Sequence, residues 1–399
     1  MRIALFHNLP SGGAKRSLFE WTKNLSDRHH IDVYTLSTAD HGFCDIRPLV
    51  NNQVTINFVP QHLFSSPWGR VNQIQRWRDL GELTKVGRQI AHMIDSKSYD
   101  VVFANPCIFT HIPAFLQFIR TPAVYYLHEP FGRKFVRSYR RPNPANSRGR
   151  ETLDRFDPLI RLYNHRLATL QAKSIQKTKR LLANSYFTQE QIRLGFGVDA
   201  SICHYGVDYD AFRPLLDISK ENVVISVGEL TPRKGFDFIV ESLGQIPDPY
   251  RPKLVLACNV VDGSERKYIE ELASQNSVTL QILASLDANE LAVEYNKARV
   301  CVYAPVLEPF GLVPLEAMSC GIPVVGVREG GVQESILHEQ TGLLVERDPG
   351  KFAAPIQRLL SNPDLALEYG RNGREHVLNN WTWDQSVASL ESHLLDISN

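Results

Sequence analysis

Glu308 and Glu316 bracket the segment Glu308-Pro309-Phe310-Gly311-Leu312-Val313-Pro314-Leu315-Glu316. The segment follows the β-branched run 299–304 and leads into Ala317-Met318-Ser319-Cys320-Gly321, a pattern that predicts a strand, a turn and a helix stopped by glycine. The strand delivers one carboxylate to the turn and the helix carries the second. The free N–H groups at the helix start offer a place for a phosphate. Eight helical steps separate two such carboxylates by roughly 12 Å, beyond the about 5–9.5 Å of a hydrolytic pair flanking one glycosidic bond. The pair suits a grip on two parts of one long ligand, such as the sugar and the ribose of a nucleotide sugar. A solvated Glu308 and a helix-surface Glu316 are the plainer alternative, against which the Pro309-Phe310-Gly311 turn argues.

Four further constellations fall at predicted strand ends. Asn8-Leu9-Pro10-Ser11-Gly12-Gly13-Ala14 follows the first strand, and its paired glycines either let backbone amides approach a diphosphate or simply turn the chain. Gly228-Glu229-Leu230-Thr231-Pro232-Arg233-Lys234-Gly235 ends another strand and opens a helix. A cation at a helix start opposes the dipole, so Lys234 costs stability there unless an anion joins it. His128, in Tyr125-Tyr126-Leu127-His128-Glu129-Pro130, sits just past a strand as a structural histidine or a ligand contact. Gly330-Gly331-Val332-Gln333-Glu334 repeats the logic of the first glycine loop and lies near the same ligand or merely turns the chain. Asp208-Tyr209-Asp210 has the form of a metal-holding pair, but its place before a connector favours turn and helix capping. No metal is expected.

The elements needed to position these residues are legible. Short β-branched runs alternate with longer helical patterns, the mark of parallel sheets with crossover helices. Strands are predicted at 2–7, 32–36, 54–59, 100–104, 123–127 and 180–183, then at 222–227, 253–257, 278–283, 299–303, 323–327 and 342–345. Helices are predicted at 73–94, 159–179 and 236–243 among others, with a long loop over 138–158. The fold class is α/β: two tandem Rossmann-like, doubly wound domains facing across a cleft, with ligands beyond the carboxyl ends of the strands. Residues 1–213 form the first domain and 214–380 the second, joined by Arg213-Pro214-Leu215-Leu216-Asp217.

A chain of 399 residues with 43% hydrophobic and 22% charged residues has the composition of a soluble protein with two cores. No run approaches the ~20 apolar residues of a membrane span, and the N-terminus reads as a first strand rather than a signal peptide. Six scattered cysteines without metal-ligand spacing point to buried thiols in a reducing, cytoplasmic setting. The net charge of +1 conceals a division: residues 1–215 hold 29 Lys and Arg against 17 Asp and Glu, a balance of +12, and the remainder balances at −11. Residues 133–150 carry Arg133, Lys134, Arg137, Arg140, Arg141, Arg148 and Arg150 with no acid. That charge is a solvated loop or, on the sharper reading, part of a contact through 133–180 with an anionic membrane surface or a phosphate-bearing acceptor. Nucleic acid is disfavoured, because no aromatic-studded RNA motif or zinc spacing accompanies it.

Taken together, these residues resemble the family 4 retaining glycosyltransferases of the GT-B fold, most closely over 223–345. The resemblance implies a donor-sugar role near the reacting centre for Glu308 and a ribose contact for Glu316. It implies that amides of Phe310, Gly311, Leu312 and Val313 hold diphosphate and sugar hydroxyls, and that Lys234 neutralises the diphosphate. Gly12 and Gly13 would face donor phosphates and acceptor, and His128 would touch the sugar. Trp381-Thr382-Trp383 resembles the start of a C-terminal helix, 381–397, that packs back on the first domain. The implied reaction moves a hexosyl unit from a nucleotide-diphosphate sugar to a glycan, lipid-linked or small-molecule hydroxyl, with retained configuration, no metal and no cofactor. The implied setting is the cytoplasm, peripheral to the inner face of the membrane. In one departure, Glu229 stands where the family usually has arginine, which leaves Arg233 to supply that charge and asks Arg233 or Lys234 to pair with Glu229. A nucleotide-sugar epimerase of similar architecture and a non-catalytic nucleotide-sugar-binding protein are the alternatives.

Overall fold

The computed structural model describes residues 1–65, 71–129, 157–259 and 262–398. The acid-free basic stretch 133–150 and most of the loop expected at 138–158 lie outside the described residues.

The first sheet contains β1 (Arg2–Asn8), β2 (His30–Leu36), β3 (Asn52–Ile56), β4 (Val101–Cys107), β5 (Ala123–Leu127), β6 (Arg180–Ala183) and β7 (Ser201–Ile202), all parallel, in the order β3-β2-β1-β4-β5-β6-β7. Helices cover both faces, so a central strand such as Ala-Val-Tyr-Tyr-Leu of β5 is buried throughout. The helix Gly13–Leu25 shows the matching period, burying Leu18, Trp21, Thr22 and Leu25 at steps of three and four.

The second sheet contains β8 (Val223–Val227), β9 (Lys253–Cys258), β10 (Leu280–Ala284), β11 (Val300–Tyr303), β12 (Val324–Val327) and β13 (Gly342–Val345), again all parallel, ordered β10-β9-β8-β11-β12-β13. In both sheets the winding reverses beside the first strand, giving switch points at β1/β4 and β8/β11. Loops leaving strands there diverge and open a crevice at the carboxyl edge. This is the doubly wound α/β fold in duplicate.

The chain divides into one unit of residues 1–184, 188–203 and 386–399 and another of 185–187 and 204–385. The passage at 203/204 comes ahead of the Arg213–Asp217 connector. The cause is packing: Tyr205 lies 5.0 Å from the Phe310 ring and Phe212 5.9 Å from the Tyr295 ring, all within the second unit. The last helix, Trp383–Ser398, ends in the first unit, where Trp21 Nε1 donates to Ser386 Oγ at 2.8 Å and Glu391 receives Arg28 and His29.

Candidate functional site

The best-formed constellation lies at the β8/β11 switch point. After β8 the chain passes through the 3-10 turn Pro232–Lys234 to Gly235, which is left-handed at φ 67. A Cβ on Gly235 would collide with the carbonyl oxygen of Ala304, so glycine lets this loop lie against the one leaving β11. Val306 N donates to Arg233 O at 2.8 Å and ties the two loops together. Across that tie Lys234 Nζ lies 2.9 Å from Glu308 Oε2 and 3.1 Å from Oε1, with the side chains 12% and 13% exposed. The anion required beside Lys234 is therefore Glu308. Of the two cations asked to pair with Glu229, Lys234 turns to Glu308 instead, and Glu229 is half-buried on its loop.

The backbone of Glu308 is fixed from behind. Gly331 N donates to Glu308 O at 2.8 Å, and a Cβ on Gly330 (φ 61) would strike that same carbonyl. The second glycine pair thus supports the segment that carries Glu308. Arg347 donates to the carbonyls of Ala304 (2.9 Å) and Pro305 (2.7 Å) while its guanidinium pairs with Glu329.

The helix Leu312–Ser319 begins at Gly311 (φ 99) with no side-chain cap and no acid in its first turn. Its positive end is thereby left for an anion. Its other end is held by Arg374, which donates to the Ser319 carbonyl and, at 3.1 Å, to that of Phe212. Phe310 is buried against Tyr205 and Trp381. Glu316 is not on the helix surface: it is 4% exposed, and Tyr295 donates its hydroxyl to Oε2 at 3.0 Å. Burial, and then the Glu316 charge, push the Tyr295 phenol well above its ordinary range.

The first unit presents its own candidates at the carboxyl edge of its sheet. Gly12 (φ 143) has open space where a Cβ would stand, and its carbonyl accepts Lys15 N and Arg16 N, starting the helix at Gly13. Beneath it Lys15 is fully buried with Nζ 3.4 Å from His7 Nε2, and burial brings its pKa down to about 8. His128 is 3% exposed beyond β5, its Nε2 3.0 Å from Asn105 Oδ1 and its ring 4.6 Å from that of Tyr126. Burial lowers its pKa to about 3, so the imidazole is neutral near pH 7. Asp208 Oδ1 accepts Asp210 N and Ala211 N, the expected turn cap. Among the described residues no group of three or more His, Cys, Asp or Glu could hold a metal ion.

Two family descriptions divide the chain between them. Glycosyltransferase Family 4 matches residues 11–211, just over half of the sequence, and Glycosyl transferases group 1 matches 209–376. The chain belongs to glycosyltransferase family 4. An uncharacterized glycosyltransferase of Methanocaldococcus jannaschii is 34% identical over 41% of this chain and 42% of its own length. A GDP-mannose-dependent alpha-(1-6)-phosphatidylinositol monomannoside mannosyltransferase of Mycolicibacterium smegmatis is 30% identical over 52% and 59%. The chain thus spans about half the length of the curated relatives it matches. Sucrose-phosphate synthase from Thermosynechococcus elongatus shares the GT-B fold, with a TM-score of 0.75, 23% identity, and 99% and 98% of the two chains covered.

Several residues around these sites escaped the sequence reading. Lys15 was discoverable, because the helix-start argument applied to Lys234 applies equally two residues after Gly13. Asn105, Tyr295 and Arg347 gave no local signal, and Glu334 was picked out only as part of the second glycine loop. Glu334 accepts the amides of Tyr186 (2.8 Å) and Phe187 (2.9 Å), a contact that spans 148 residues in the first case.

Proposed function

We propose that this family 4 member transfers a hexosyl unit from a nucleotide-diphosphate sugar to an acceptor hydroxyl, with retention of anomeric configuration. The observation that carries the reading is the Lys234–Glu308 pair beside an uncapped helix start at the β8/β11 switch point. The second unit is the donor side: Lys234, Arg233 and the amides of Gly311, Leu312 and Val313 take the diphosphate, and Glu316, oriented by Tyr295, takes the ribose. The first unit is the acceptor side, with Gly12 and Gly13 at its edge and neutral His128 as a hydrogen-bonding group for the sugar.

In the proposed reaction the bond from C1 to the diphosphate oxygen breaks and the diphosphate leaves with the electron pair. Lys234 and the helix-start amides meet the growing negative charge. The acceptor oxygen bonds to C1 from the same face, and its proton passes to the departing phosphate oxygen. Glu308 has two tasks, holding Lys234 before the donor arrives and lying beside the sugar afterwards. Because cationic side chains and amides supply the charge, the reading requires no metal.

The acceptor is proposed to be a glycan or a lipid-linked molecule, and the setting the cytoplasmic face of a membrane. The +12 balance of residues 1–215 supports this, as does a relative whose name carries a phosphatidylinositol acceptor. Among the described residues no helix is long and apolar enough to cross a membrane. The test is a screen of UDP- and GDP-sugars for turnover with and without chelator, with the product anomer assigned by NMR. Retained configuration and chelator-insensitive turnover are expected. Inversion or an absolute metal requirement would overturn the mechanism, and isomerised or free sugar without transfer would overturn the function.

A further inference from the structure

Asn105 lies near the end of β4 and His128 just beyond β5, its parallel neighbour in the first sheet. Both are buried, at 0% and 3% exposure, and the amide end of Asn105 is 3.0 Å from His128 Nε2. Neither side chain is loosely held. Pro106 keeps the backbone of Asn105 extended. Asn184 Nδ2 donates to the His128 carbonyl at 2.8 Å, and the rings of Tyr126 and Trp21 lie 4.6 Å and 6.2 Å from the imidazole. Burial keeps that imidazole neutral near pH 7, so a single proton sits on one of its two nitrogens.

The hydrogen bonds open to Asn105 discriminate between the two nitrogens. With the amide oxygen turned to the ring, His128 must donate from Nε2. The amide nitrogen of Asn105 is then buried with two N–H groups and no acceptor. A half-turn of the amide exchanges its oxygen and nitrogen within the same outline. One N–H then donates to a bare Nε2, and the carbonyl takes the place that offers no acceptor. That half-turn removes one of two orphaned donors and leaves a carbonyl under-satisfied instead. Buried N–H groups without acceptors are the rarer fault in folded proteins, so the turned amide is the favoured arrangement.

We infer that Asn105 is a positioning residue for His128: its amide donates to Nε2 and thereby holds the imidazole proton on Nδ1. His128 then meets a sugar hydroxyl as a donor. Its one lone pair is engaged by Asn105, so the ring is not the base for the acceptor hydroxyl. This agrees with a reaction in which that proton passes to the departing phosphate oxygen. Only the sugar contact rests on the proposed function; the place of the proton does not.

The test is long-range proton–nitrogen NMR of the full chain carrying isotope-labelled histidine near pH 7. The His128 signal is assigned by its loss in His128→Gln, and its ring Hδ2 identifies Nε2. Wild type is expected to show a bare Nε2 and a protonated Nδ1. Asn105→Asp keeps the outline but has only acceptor oxygens, so Nε2 is expected to become protonated. Turnover of the nucleotide sugar selected by the screen above should fall about tenfold in that variant, with donor KM within a few-fold. Its affinity for UDP or GDP should match wild type, which separates lost positioning from a failed donor reading. Wild type with the proton on Nε2 would overturn the inference without any variant. Asn105→Asp with Nε2 still bare would overturn it too. A protonated Nε2 with unchanged turnover would overturn the positioning role.

Discussion

Lys234 Nζ and Glu308 Oε2 stand 2.9 Å apart across 74 residues of sequence, joining the loop after β8 to the loop after β11. With only about an eighth of each side chain exposed, neither charge is dispensable to the other. Lys234→Ala should destabilise the second unit by about 1–3 kcal/mol, because Glu308 is left without its cation. Adding Glu308→Gln should return part of that loss. Turnover should fall about 10²–10³-fold in the single variant and stay low in the double. Denaturant unfolding and donor turnover on the four-member cycle check this, and additive stability losses would show that the pair is not coupled.

Glu316 and Tyr295 make a separate prediction. Their hydrogen bond is 3.0 Å long and buried, which fits a carboxylate held for a neutral ribose rather than for the reacting carbon. Glu316→Gln should raise the donor KM about tenfold and leave kcat within a few-fold. Tyr295→Phe should do the same more weakly. A collapse of kcat at unchanged KM would move Glu316 from binding to chemistry.

Glu229 places a carboxylate on the loop that also carries Arg233 and Lys234. Reversing its charge should help an incoming diphosphate. Glu229→Arg is expected to tighten nucleotide-diphosphate binding by about tenfold at low salt, with the gain shrinking as ionic strength rises. Calorimetric titration at two salt concentrations reads this directly. Unchanged or weaker binding would show that Glu229 faces away from the phosphates or makes a contact of its own.

The buried His128 makes the first unit sensitive to acid. Its folded pKa of about 3 lies below the ordinary 6.5, so the unfolded chain binds the extra proton between those values. The stability this neutral histidine contributes is fully present above pH 6.5 and is lost as pH falls from there toward 3. At about pH 5 the loss from one such group is about 2 kcal/mol. His7, also buried and lowered, steepens the slope in the same direction. His128→Gln should flatten the decline between pH 6.5 and 5 in pH-dependent unfolding, and an unchanged slope would contradict the neutral assignment.

Much of this was legible where the local pattern and the tertiary requirement coincide. β5, β6 and β13 occupy the residues that their bounded apolar runs predict, because a strand buried on both faces needs only such a run. β3 ends at Ile56, short of the predicted 59: Phe58 is buried, but its amide goes to the Ser37 hydroxyl rather than into the ladder. β7, with two residues, is too short to leave a periodic trace. At the site, residue types and strand-end positions picked out Glu308 and Lys234, yet the ion pair between them was not readable. It depends on Gly235 fitting beneath Ala304 and on Arg347, which holds that carbonyl from 43 residues away. The burial of Glu316 was likewise not readable, because its neighbour Tyr295 lies on another helix.

The central claim is that a nucleotide diphosphate is held by Lys234 and the start of the helix Leu312–Ser319. A crystal structure with UDP or GDP bound tests it most directly. The account predicts phosphate oxygens at hydrogen-bond distance from Lys234 Nζ and from amides within Gly311–Val313, with the ribose at Glu316. A nucleotide bound elsewhere on the chain, with the Lys234–Glu308 pair and the helix start untouched, would contradict it.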